Sequence, residues 1–262
     1  MGTKAIDPQS IRNVTLLGDP AGTARLIRRL RHGSAEPGPG SAATVTWSAN
    51  QVEHTIRLAE LPSDTPIAGL ERSIRVADSV IAVVNAAAHG TPRLETMLRV
   101  ADDHQVARLC LITGLDHPDA DFDRCVGAIA AVRGAVPLPL HMPLGLGAEF
   151  EGVVDLISMW GLESLAAEIY GNHWQVAEQC YQALVKTLIE QGSSDPNVFD
   201  SREITLGRLH HRIRYLTRIG DIVPVLCSAP PGSNDIAPLL DAIIRYLPSP
   251  LDSCQPEAAL DY

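Results

Sequence analysis

The sequence has 262 residues, of which 45% are hydrophobic and 20% charged, with a formal net charge of −10. That length can bury a real core, in one large domain or in one domain carrying an insert. The acidic balance argues against a general nucleic-acid binder, DNA included, because phosphate binding needs clustered Lys and Arg. The five cysteines, Cys110, Cys125, Cys180, Cys227 and Cys254, are odd in number, widely spaced and form no C-x-x-C pair. They read as reduced thiols of a cytoplasmic protein, not as a disulfide framework or a zinc site. Residues 1–9 lack the apolar core of a signal peptide. The longest apolar stretch, around residues 80–88, is interrupted by Asn85 and is too short to span a membrane. The only lysines are Lys4 and Lys186; the other 19 basic residues are arginines.

The first apolar run, Val14-Thr15-Leu16-Leu17, predicts a buried strand. A turn at residues 18–22 follows, and then a helix over residues 23–31 with Leu26, Ile27 and Leu30 on one side. Strand, glycine turn and helix open a doubly wound fold. The Gly/Pro/Ser-rich residues 33–41 read as a flexible link. Strands are expected at 44–47 and 54–58, a helix at 67–77 and a buried strand at 79–84. Thr91 and Pro92 suit the N-cap and first position of a helix running to about 103. A strand at 107–113 and a helix at 119–133 come next. The rhythm breaks between about 145 and 220, where an apolar run at 153–159 precedes two or three helical stretches. It resumes with a strand at 222–227 and a helix capped by Ser233 or Asn234 and stopped by Pro248. Alternation of this kind predicts a mostly parallel sheet with helices on both faces.

Several strings resemble the G domain of elongation factor G, a translational GTPase. They are Arg12-Asn13-Val14, Leu70-Glu71-Arg72-Ser73-Ile74-Arg75-Val76-Ala77-Asp78 and Thr91-Pro92-Arg93-Leu94-Glu95-Thr96. Gly152-Val153-Val154-Asp155-Leu156-Ile157 resembles the start of that family's inserted subdomain. Tyr246-Leu247-Pro248-Ser249-Pro250-Leu251-Asp252 resembles its exit to a second domain. The resemblance covers about residues 11–252. It implies a P-loop-NTPase-like three-layer α/β/α fold with an inserted α-rich subdomain. The core is expected over 10–144 and 221–252, the insert over 145–220, and tails at 1–9 and 253–262. Since the sequence stops shortly after Asp252, a translocase is not expected.

The resemblance also says what a working site would need. A P-loop presents backbone N–H groups, a Lys ammonium and a Mg²⁺-binding hydroxyl to the phosphates. In this chain Asp19 lies in the turn and Ala21-Gly22-Thr23-Ala24 stands at the family's Ala-Gly-Lys-Thr, so Thr23 occupies the Lys slot and Ala24 the hydroxyl slot. Arg25 is expected to point away from it. The family's Asp-Thr-Pro-Gly-His becomes Ala59-Glu60-Leu61-Pro62-Ser63, with Glu60 turned to the opposite strand face from Ala59. Its guanine-reading Asn-Lys-Met-Asp becomes Thr113-Gly114-Leu115-Asp116, and its Ser-Ala survives as Ser228-Ala229. The first switch loop is expected to be deleted. Four charged or metal-linked contacts at about 1.5–3 kcal/mol each remove about 6–12 kcal/mol, against the roughly 8–12 kcal/mol of micromolar to nanomolar binding. The expectation is a pseudo-GTPase with no catalytic residue, no metal and no cofactor, with weak GTP or GDP binding as the alternative.

Two readings stay open for several residues. Gly22 lines an anion pocket or only permits a tight turn. Asp116 is a guanine-binding remnant or a turn and capping residue. His104, His117 and His141 have no metal-ligand spacing, and no nucleophile motif suggests a recruited enzyme. The segment 202–218 carries five Arg, one Glu and two His. A helical wheel gathers Leu206, Leu209, Ile213 and Leu216 on one side and Arg208, His211, Arg212, Arg214 and Arg218 on the other. That basic face is either solvated or a docking surface for an acidic partner. The resemblance makes a protein like the acidic ribosomal stalk the expected class.

Overall fold

The computed structural model describes residues 7–33, 36–37, 42–49, 51–90, 93–160, 171–191, 205–230, 233 and 235–252. Ten strands and eight helices are described. The strands are β1 (Ile11–Gly18), β2 (Glu36–Pro37), β3 (Ala43–Ala49), β4 (Val52–Glu60), β5 (Ser79–Asn85), β6 (Ala107–Thr113), β7 (Pro137–Pro139), β8 (His141–Leu144), β9 (Gly152–Asp155) and β10 (Val223–Cys227). The helices are α1 (Pro20–Gly33), α2 (Ile67–Arg75), α3 (Leu94–Asp103), α4 (Phe122–Ala130), α5 (Leu156–Trp160), α6 (Trp174–Glu190), α7 (Leu206–Ile219) and α8 (Ala237–Tyr246).

Eight strands form one sheet in the order β2-β3-β4-β1-β5-β6-β10-β7. β3 pairs antiparallel with β2 and β4, and every other pair is parallel. β1 is interior, as expected. β5 and β6 are apolar on both faces because helices cover both. On one side Val14, Leu16, Ile81 and Leu109 pack with α1, α6, α7 and α8; on the other Val80, Ala82, Val84 and Ile112 pack with α2, α3 and α4. This is the expected three-layer α/β/α architecture. Burial pushes the Cys110 thiol up to about 12 and that of Cys125 up to about 11, so both are inert core groups.

Four local expectations change. Glu36 and Pro37, expected in a link, pair with Thr44 and Ala43; the rest of 34–41 lies outside the described residues. Thr91 and Pro92 also lie outside them, and α3 opens after Arg93 in the left-handed region at φ 64°. α4 starts later than expected, capped by Asp121, whose Oδ1 accepts the Arg124 N–H at 2.8 Å. Ser233 does not cap α8. Asp235 Oδ1 accepts the Ala237 N–H at 2.9 Å, and Ser233 Oγ accepts the Asp235 N–H at 3.1 Å; Asn234 is outside the described residues.

The described residues of the stretch 145–220 form no hydrophobic cluster of their own. Val154, Leu156, Tyr181, Leu188, Leu209, Ile213 and Leu216 belong to the same cluster as Leu109, Leu226 and Ile243. Helix α7 lies against β6, β10 and α8 and so forms part of the main sandwich.

Candidate functional site

The phosphate end is set by one short connection. Only Asp19 separates β1 from α1. A P-loop wraps phosphate with a run of backbone N–H groups, and this junction has no such run. Asp19 supplies the anion itself: its Oδ2 accepts the Gly22 N–H at 2.7 Å, while its carbonyl accepts the Thr23 N–H at 2.9 Å. A helix N-terminus attracts anions through these unpaired N–H groups, and here the chain's own carboxylate is seated on them. The Asp-Pro pair is itself a sequence signal for N-cap and first helical turn. Read that way, it announces the helix before Thr23.

Gly22 is explained by packing. A Cβ there would come within 2.7 Å of Val83 Cγ1, 3.0 Å of Asp19 Oδ2 and 3.0 Å of Thr113 Oγ1. Gly18, at φ 115°, lies against the Val83 carbonyl with no room for a side chain. Thr23, in the Lys slot, is 2% exposed. Its hydroxyl lies 3.1 Å from the Asp19 and Pro20 carbonyls and 2.8 Å from Glu60 Oε1, to which it donates. Glu60 is on the opposite face from Ala59, as strand periodicity requires, but that is the face covered by α1. It therefore enters the old site instead of leaving it. Ala21 and Ala24 are exposed. One carboxylate thus sits on the N-terminus of α1, and a second lies against the residue in the Lys slot. The residues present do not fit a nucleoside triphosphate with its metal.

The base end is narrowed, not refilled. Gly22, Arg25, Arg29, Thr113, Asp116, Ser228 and Ala229 line a cavity of only about 30 Å³, room for about two waters. Arg25 is exposed and lines this cavity. Arg29 spans the mouth, with Nη1 3.5 Å from the Ala229 carbonyl and Nη2 3.2 Å from that of Pro230. Asp116 is exposed in a turn and is not the cap of α4. Gly114, at φ 71°, is required because a Cβ would meet Asn85 Oδ1 at 2.5 Å.

The basic helix is α7, and its faces differ from the wheel. Arg208, His211 and Arg218 are exposed. Arg212 is 5% exposed and lies 5.7 Å over the Tyr215 ring. Arg214 is partly buried, with Nη1 donating to the Ile244 and Arg245 carbonyls at 3.2 and 3.3 Å and Nη2 to Asp252 Oδ2 at 3.1 Å. Leu206, expected in the core stripe, is 43% exposed. Arg212 and Arg214 therefore pack into the fold, because an arginine can bury its long apolar stem. Residues 202–204 of the segment lie outside the described residues.

Comparison with known proteins fits this architecture. The sequence matches the family described as elongation factor Tu GTP binding domain over residues 67–249. The chain belongs to that family. It is 34% identical over 223 residues to elongation factor G of Ehrlichia ruminantium, covering 81% of this chain and 32% of the relative. It is 32% identical over 222 residues to elongation factor G of Fervidobacterium nodosum, again covering 81% of this chain and 32% of the relative. The chain thus spans about a third of the length of these curated relatives. A solved structure of a protein from Thermus thermophilus superposes with a TM-score of 0.71 at 18% identity, over 94% of this chain and 42% of that one; this is a likeness of fold. The family match begins at residue 67, beyond both phosphate motifs. Among the described residues no helix is long and apolar enough to cross a membrane, and no group of three or more His, Cys, Asp or Glu could hold a metal ion.

Proposed function

We propose that this member of the family is a pseudo-GTPase, a non-hydrolysing binding or regulatory protein that keeps the G-domain fold without nucleotide chemistry. The observation that carries the reading is the Asp19–Gly22 and Glu60–Thr23 pairing. The helix N-terminus that would hold phosphate is satisfied by a side-chain carboxylate, and a second carboxylate lies against the residue in the Lys slot. An incoming triphosphate would meet repulsion where it needs two positive charges. The resemblance supplies the partner class, an acidic protein. In this reading the docking face on α7 is made of Arg208, His211 and Arg218, the exposed members of the basic set.

The test is phosphate release from GTP, with native protein and with Thr23→Lys. Neither releases phosphate above background, because restoring one lysine leaves the one-residue connection and Asp19 in place. Magnesium-dependent release by native protein would overturn the reading.

A further inference from the structure

Beside the filled phosphate site, on the face covered by α2 and α3, lies a cavity of about 270 Å³. It opens at the carboxyl ends of β1 and β5. From β1 the chain crosses to α1 on one face and on to β3 and β4. From β5 it crosses to α3 on the other face and on to β6. The two strands are neighbours and their connections diverge, so the cavity sits at a topological switch point, where open α/β sheets bind ligands.

Its body is apolar, lined by Leu17, Leu61, Leu70 and Met97. Its polar groups are few and under-used. Arg93 donates through Nη1 to the Thr65 carbonyl ahead of α2, and among the described residues its guanidinium has no carboxylate partner. The backbone of Arg93 is held in the left-handed region, which disfavours any side chain but glycine. Asn85 also lines the cavity, its Oδ1 accepting the Ala87 N–H at 3.0 Å. Asp19 belongs to the β1–α1 wall, so it repels an anion there and orients a ligand's negative charge toward Arg93.

The geometry points to a binding site for a small apolar carboxylate, its chain among Leu17, Leu61, Leu70 and Met97 and its carboxylate on Arg93. An apolar pocket with a few convergent polar groups suits such a ligand, and the volume limits it to a small one. The site goes beyond the pseudo-GTPase reading and is separable from it, since its ligands carry no phosphate.

The experiment titrates amide resonances of the intact chain with butyrate, hexanoate and octanoate, and with hexanol as the uncharged analogue. Saturable shifts are expected around Arg93 and Met97, with affinity rising about fourfold per methylene until the cavity is full. Hexanoate should bind at least tenfold more tightly than hexanol. Arg93→Gln should remove that advantage and leave hexanol unchanged, with an unaltered melting curve as the folding control. Equal binding of hexanoate and hexanol by native protein, or no saturable shift, would overturn the proposal without need of the variant.

Discussion

At the carboxyl ends of the strands, where α1, α4 and α8 begin, free helix N–H groups are met by Asp19, Asp121 and Asp235. At the opposite ends the free groups are carbonyls, and arginines meet them. Arg108, with 0% exposure, donates to Leu98, Gly134 and Gly220 carbonyls at 3.1, 3.0 and 2.5 Å and pairs with Asp102 at 2.7 Å. Arg12 donates to the Ile244 carbonyl at 3.1 Å, and Arg214 joins it there. Burial pulls the Arg12 guanidinium down to about 10; Arg214 adds to that effect and Asp252 opposes it. Both arrangements follow the sign of the helix dipole. What differs is what each end costs in function. Arginines at the rear only secure the fold. Aspartate at the front of α1 secures the helix and, in the proposed reading, also excludes the phosphate that this family's ligand chemistry depends on.

The two ends carry unequal stakes. Arg108→Ala should lose about 3–5 kcal/mol in urea unfolding, since it leaves three carbonyls without their donor and removes a fully buried side chain. Asp19→Ala should lose only about 0.5–2 kcal/mol, the worth of an N-cap. Were Asp19→Ala the costlier change, the front would be the structural keystone and the roles of the two ends would be reversed.

A smaller effect comes from the buried histidines. His141 is 4% exposed, and its Nδ1 lies 3.2 Å from the Cys227 N–H and 3.4 Å from the Cys227 carbonyl. Burial holds its pKa below the ordinary 6.5, more than Asp155 and the Cys227 backbone raise it. Burial also lowers His54, helped by Arg12, and lowers His210, helped by Arg245. Below pH 6.5 the unfolded chain therefore binds more protons than the folded one, and stability falls as pH drops from 6.5 through the lower folded values. Melting temperatures at pH 7.5 and 5.5 check this, with His141→Gln flattening the slope. A melting temperature that rises on acidification would contradict the assignment.

Much of this was legible in the sequence, and the rest has physical reasons for hiding. β5 and β6 could be read because strands buried on both faces are continuous apolar runs. The Leu209, Ile213 and Leu216 stripe of α7 could be read from helical period alone. Arg12, Arg108, Arg212 and Arg214 could not, because residue type alone assigns arginine to solvent. The partners of Arg12 and Arg108 are carbonyls as far as 232 and 112 residues away in the chain. The loss of Lys and Mg²⁺ ligands was legible as absence. That Asp19 and Glu60 had moved into the vacated space was not, although Asp-Pro before Gly22 gave half of it.

If Asp19 and Glu60 exclude nucleotide from the old phosphate site, calorimetric titration of GTP and GDP, with and without Mg²⁺, will read that exclusion. No binding tighter than about 100 μM, near 5.5 kcal/mol on the affinity scale, is expected in either condition. A sub-micromolar dissociation constant that depends on Mg²⁺ would show that the two carboxylates leave the phosphate site open.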